Sequence, residues 1–254
     1  MRTNKMSQEE TVLITAEGIV GKIVTLIVNK TVGKLIDLPF DKRKKACRSL
    51  TKLYYCVQAL DDVTEEFYGT LKDFENGGDA QAMVHALNNN GYKVEQASNM
   101  FIELGEELHA GLEIIDPTLA SCCNSLYVSK FDFLSFMSNS IEWDRSNEVA
   151  TIKVKTPSDE MLNVDLDKKY NETKLALAKG DTYYWPSSAL DDFHEQVRTI
   201  TISFDDMDSA QRLKLHIDKH RTLLRTAKNS LRELLKDNFS IEEVLFQNDS
   251  HPWR

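Results

Sequence analysis

The chain has 254 residues, of which 41% are hydrophobic and 28% charged, with a net charge of −9. It is long enough to bury a large core, and its acidity argues against electrostatic binding to nucleic acid. Ten glycines and five prolines favour long uninterrupted helices over a turn-rich β fold.

The opening "MRTNKMSQEET" leads into a hydrophobic stretch with no small-residue cleavage pattern, so a signal peptide is not expected. The four cysteines (Cys47, Cys56, Cys122 and Cys123) form no C-x-x-C pair. They read as buried free thiols of a cytoplasmic protein.

Residues 11–38 predict a first helix that is apolar on most of its circumference. Its small or polar residues form one narrow stripe: Thr11, Thr15, Gly18, Lys22, Thr25, Asn29 and Gly33. Such a helix belongs either at the centre of a bundle or in lipid. The longest charge-free run, from Ile23 to Asn29, falls far short of the ~20 residues needed to span a bilayer.

A basic cluster follows in "DKRKKACR": Lys42, Arg43, Lys44, Lys45 and Arg48. Between Lys22 and Arg48 eight Lys and Arg stand against two Asp, a local +6. Cations at a helix start oppose the macrodipole, so helix stability does not explain them. They fit a binding patch for an acidic protein surface, a phosphate-rich ligand or anionic lipid headgroups, or else a solvated surface.

Asp41 predicts the start of a second helix and Gly77-Gly78 its end. Between them Leu50, Leu53, Val57, Leu60, Thr64, Phe67, Leu71 and Phe74 form a heptad seam. A second seam, Leu87, Asn90, Val94, Ala97, Phe101, Leu104, Leu108, Gly111 and Ile115, runs to Asp116-Pro117, which caps and opens the next helix. The glycine turn makes the two helices an antiparallel pair. Thr64 and Asn90 lie equally far from Gly77, which predicts a buried polar layer between them. The competing expectation is that "NNNG" breaks the helix at Asn90-Gly91.

The segment after Pro117, as far as "SIEW", reads as a further helix. From Val149 the period changes to two: Ala150, Ile152 and Val154, then Leu162, Val164 and Leu166. This predicts a β-hairpin. Residues 199–204 fit either a third strand or the end of a helix capped at Ser188. Tyr183, Tyr184 and Trp185 stand before Pro186 as either interface aromatics or a lid over a core edge. A last seam, Ala210, Leu213, Ile217, His220, Leu224, Ala227, Leu231 and Leu234, predicts a long C-terminal helix.

Motifs that resemble metal sites are weak. Glu106-x-x-His109 has the spacing of di-iron bundles, but the seam turns both residues outward. Asp61, Asp62, Glu65 and Glu66 read as a solvated acidic face rather than a magnesium site. His216 and His220 are one turn apart and are the remaining metal candidates, without the glutamate of H-E-x-x-H. No cofactor-binding or nucleophile motif is present.

The expected fold is mainly α: an elongated antiparallel bundle of about five long helices with a small β-hairpin insertion. The chain divides into residues 1–145, a helical bundle with the hydrophobic N-terminal helix; 146–204, a small β and loop insertion; and 205–254, a long C-terminal helix packing back on the bundle. A hydrophobic N-terminal helix followed by a long bundle is similar to HeLo-type cell-death modules. That similarity is architectural and implies no site residues.

The expected function is that of a soluble interaction module that acts by binding a protein partner, without cofactor or metal, and with homo-oligomers open to it. The alternatives are a conditional effector on anionic membranes, which releases its first helix into lipid, and a metal-dependent hydrolase.

Overall fold

The computed structural model describes residues 16–123, 141–156, 165–181, 196–203 and 206–245. It is mainly helical with a small three-stranded antiparallel sheet.

Helix α1 (Ala16–Thr31) ends well before Leu38. Residues 32–39 are turns instead, entered through Gly33 at φ +82°, a left-handed conformation that glycine adopts without a Cβ penalty. Pro39, with its fixed φ, leads into α2 (Phe40–Glu75). Asp41, expected as the cap, lies in the first turn of α2, where a negative charge suits the helix dipole. Gly77 at φ +97° ends the helix.

The next stretch is split, as the glycine after three asparagines allows: α3 (Ala80–Asn89) and α4 (Gly91–Ile115) meet at Asn90. Asp116 then caps the short α5 (Pro117–Cys123), its Oδ1 accepting the Thr118 amide at 2.8 Å.

Strands β1 (Ile141–Asp144), β2 (Val149–Thr156) and β3 (Gln196–Ser203) pair in the order β1-β2-β3. Ile152 sits opposite Ile141 on one side and Ile200 on the other. Residues 141–143, expected as helix, are therefore strand, and residues 199–203 take the strand alternative.

The expected hairpin partner is also corrected. Leu166 opens a helix, α6 (Leu166–Ala178), because Asp165 caps it by accepting the Lys168 amide at 3.0 Å. Residues 162 and 164 lie outside the described residues. Asp206 caps α7 (Met207–Asn238). Last comes α8 (Ile241–Leu245), where Ser240 and Glu243 cap each other reciprocally at 3.1 and 2.8 Å.

Helix α2 lies between α4 and α7, antiparallel to both. Glu66 meets Lys93 at 2.8 Å and the Ser49 hydroxyl donates to the Glu107 carbonyl at 3.0 Å on the α4 side. Glu65 meets Arg221 at 3.1 Å and Glu75 meets Lys214 on the α7 side. All eight seam residues of α2, and all eight of α7, are buried.

Two hydrophobic clusters share these helices. One joins α1, the N-terminal half of α2, α4, α5, α6 and the C-terminal half of α7. The other joins the C-terminal half of α2, α3, the sheet and the N-terminal half of α7. The region 146–204 is thus divided, its strands packing in one cluster and Tyr170 of α6 in the other. Thr64 and His220, the polar members of the α2 and α7 seams, are both buried where the clusters meet.

The hydrophobic first helix is enclosed. Val20, Ile23, Val24, Leu26, Ile27 and Val28 are each no more than 7% exposed. The half-buried Lys22 and Thr25 and the exposed Asn29 mark the outer stripe. α1 packs chiefly on α7. Gly21 permits the approach, since a Cβ there would stand 3.1 Å from the Leu223 carbonyl carbon.

Burial also governs the thiols. Cys47 and Cys56 are buried in the larger cluster, and loss of solvation pushes the Cys56 thiol up to about 12. Alkylation of the folded protein at mildly alkaline pH should therefore modify both about tenfold or more slowly than in urea, as read by peptide mass spectrometry. Equal rates would mean that the N-terminal half of α2 is open to solvent.

Candidate functional site

The basic cluster of α2 is only partly available for binding. Arg43 faces inward along the end of the bundle. Its guanidinium donates to Glu243 at 2.7 Å, to the Leu35 carbonyl at 3.3 Å and to the Asn238 carbonyl, and it lies 5.0 Å from the Phe239 ring centre. One side chain thus ties the 32–39 turns and the end of α7 to α8. The Arg43 hydrogen bond, followed by the Ser240 amide, holds the Glu243 carboxyl below the ordinary range.

Arg48 is engaged as well, meeting Glu107 of α4 at 2.5 Å, and Lys52 joins the same carboxylate. Lys44 is half-buried, while Lys42 and Lys45 are exposed. Asp37, Asp41 and Glu242 are exposed around them. Side chains of both signs are therefore exposed at this end of the molecule.

The surface the Arg43 clamp assembles is apolar. Of the nine exposed large hydrophobic side chains among the described residues, five are here: Val32 at 62%, Ile36 at 72%, Phe40 at 74%, Ile241 at 74% and Leu245 at 65% exposed. Their neighbours Leu35, Leu38 and Val244 turn inward against the core, so the outward residues sit on a packed base. Concentration of apolar side chains is informative where scattered ones are not. Sequence reasoning missed these five because Val32 and Ile36 lie in turns, Phe40 is the first residue of α2 ahead of its seam, and Ile241 and Leu245 belong to a five-residue helix, so periodicity could not sort in from out.

The remaining charged motifs are structural. Asp61 is 2% exposed and pairs with Lys228. Glu65 meets Arg221 and Arg225, and Glu66 meets Lys93. The acidic run is thus largely a set of interhelical ion pairs, with Asp62 left exposed, rather than a solvated face.

Thr64 donates to the Leu60 carbonyl one turn back at 2.6 Å. Asn90 ends α3 with its amide on the Ala86 carbonyl. Because Glu66 meets Lys93, Thr64 lies level with positions past Asn90, and among the described residues no hydrogen bond joins the two. Glu106 is exposed and His109 half-buried. His220 is buried at 3%, while the His216 side chain lies outside the described residues, as do Tyr183, Tyr184 and Trp185. No group of three or more His, Cys, Asp or Glu that could hold a metal occurs among the described residues.

A second polar cluster joins α1, α5 and α6. Asp116 Oδ2 accepts from Tyr170 Oη at 2.5 Å and from Lys34 Nζ. Lys30 meets Asp167 at 2.7 Å and lies 4.8 Å from the Tyr170 ring centre. Burial pushes the Asp116 carboxyl up, but bonds from Lys34, Tyr170 and the Thr118 amide outweigh it and hold it below the ordinary range.

A folded-state value below the unfolded one stabilises the protein above about pH 4 and is lost as the pH falls through the folded value. Asp116→Asn should lower stability at neutral pH and flatten the acid limb of a urea-stability profile. An unchanged limb would remove Asp116 as a contributor.

Comparisons with family models, curated proteins and solved structures found no match.

Proposed function

We propose that the protein acts by binding a protein partner through its outer surface, with α1 as a permanent structural member of the bundle. The observation that carries this reading is the burial of six successive apolar positions of α1 against α7 and its neighbours. At ~1.5–3 kcal/mol per buried aliphatic side chain, freeing them would cost on the order of 10 kcal/mol. That equals the whole stability of an ordinary domain. The membrane-effector alternative would have to recover all of it in lipid, and among the described residues no helix is long and apolar enough to cross a membrane.

Vesicle leakage separates the two. Under this reading the protein releases no dye from anionic vesicles, with or without a cross-linking trigger. Leakage that Ile23→Glu abolishes would establish the effector instead. For the hydrolase alternative, stoichiometric metal in the purified protein would count against a function by binding alone.

A further inference from the structure

We infer that the apolar end of the bundle is a two-fold interface with a second copy of this chain. This deepens the binding reading above by naming one partner, and it rests on that reading.

Three observations carry it. First, Val32, Ile36, Phe40, Ile241 and Leu245 are brought to one end by the Arg43 clamp, each well over half exposed. A patch of this kind on a packed base needs a cover. Second, the charges beside it are balanced in sign: the exposed Lys42 and Lys45 and the half-buried Lys44 against the exposed Asp37, Asp41 and Glu242. Arg43, Arg48 and Lys34, which made the region look strongly basic, are already paired with Glu243, Glu107 and Asp116.

Balanced charge chooses between occupants. An anionic bilayer gains from a one-signed patch, and here three exposed carboxylates offset the attraction of the lysines. A two-fold contact places the same patch on both sides, so it must complement itself. An apolar centre rimmed by both signs does so, because each cation can face a carboxylate of the other copy.

Third, the patch is held rigidly. Leu35, Leu38 and Val244 anchor its base in the core, and the reciprocal Ser240–Glu243 cap fixes α8. Little ordering cost remains to be met on association.

Sedimentation equilibrium of the full chain tests the inference. Wild type should self-associate reversibly to a dimer. Phe40→Asp and Ile241→Asp, both at exposed positions, should raise the dimer Kd by about tenfold or more while leaving thermal stability unchanged. The rim makes a sharper demand. Lys42→Glu/Lys45→Glu and Asp37→Lys/Asp41→Lys chains should each dimerise poorly alone and recover as a heterodimer when mixed.

A wild-type monomer at every concentration would overturn the inference, as would a dimer indifferent to Phe40→Asp. Phe40-dependent binding of a monomer to phosphatidylserine vesicles would also overturn it, in favour of lipid. None of these outcomes exposes α1, so the binding reading would stand or fall separately, on the leakage result.

Discussion

Replacing Lys228 with alanine is expected to cost about 3–5 kcal/mol, the penalty for leaving a buried charge without its partner. Asp61 is 2% exposed and the Lys228 side chain 21%. The pair therefore lies far from the solvent-screened regime in which ion pairs contribute ~0–1 kcal/mol. Asp61 Oδ1 makes no hydrogen bond among the described residues, so Lys228, on Oδ2, is its principal compensation. The double replacement Asp61→Asn with Lys228→Met should lose much less than the single one, because neither charge then remains. Urea midpoints at constant m-value give the comparison. A Lys228→Ala loss within ~0.5 kcal/mol would show that water reaches the pair and that α2 and α7 are less closely joined.

The second large effect is steric. At Gly111 a Cβ would come within 2.5 Å of Ser49 Cβ, far inside any normal contact, so α4 and α2 can cross here only with glycine on one side. The Ser49 hydroxyl makes use of the closeness, its single proton lying within reach of the Glu107 carbonyl across the interface at 3.0 Å and of the Lys45 carbonyl on its own helix at 3.2 Å. Gly111→Val should cost about 3 kcal/mol from overpacking, much more than the few tenths that helix propensity returns. Adding Ser49→Gly should restore part of the loss. Equal stability of Gly111→Val and wild type by thermal melting would contradict the crossing.

The sequence disclosed the parts of the fold that follow from long-range periodicity. The α2 and α7 seams each sustain spacings of three and four over eight residues, and every one of those residues is buried. A pattern that long leaves little freedom in which face turns inward. The stripe Lys22, Thr25 and Asn29 likewise marked the outer side of α1.

Short elements were not legible in the same way. The four residues of β1 continue a helical-looking stretch, and strand pairing with β2 outweighs their local preference. The Asp165 cap that opens α6 resembles a strand residue when the preceding alternation is extended one step too far. In the second seam Leu87 before Asn90, and Ala97, Leu104, Leu108, Gly111 and Ile115 after it, are buried, but the pairing of Glu66 with Lys93 sets Thr64 level with positions past Asn90 rather than with Asn90 itself.

Charge was the least transparent feature. Arg43 and Arg48 look like surface cations in the local sequence. Their partners, Glu243 and Glu107, stand far along the chain, and only the tertiary fold brings them within reach. What remains outward at that end is apolar and of mixed sign, which changes the kind of partner it suits.

Amide hydrogen exchange of the resting full chain over Val20 to Val28 reaches the centre of this account. If α1 is locked behind α7, those amides should exchange only by global opening, as slowly as the α2 seam from Leu50 to Leu60. Exchange at the rate of a frayed or detached helix, while the α2 seam stays protected, would mean that α1 is held in readiness for release. A protein working solely through its outer surface would then be the wrong description.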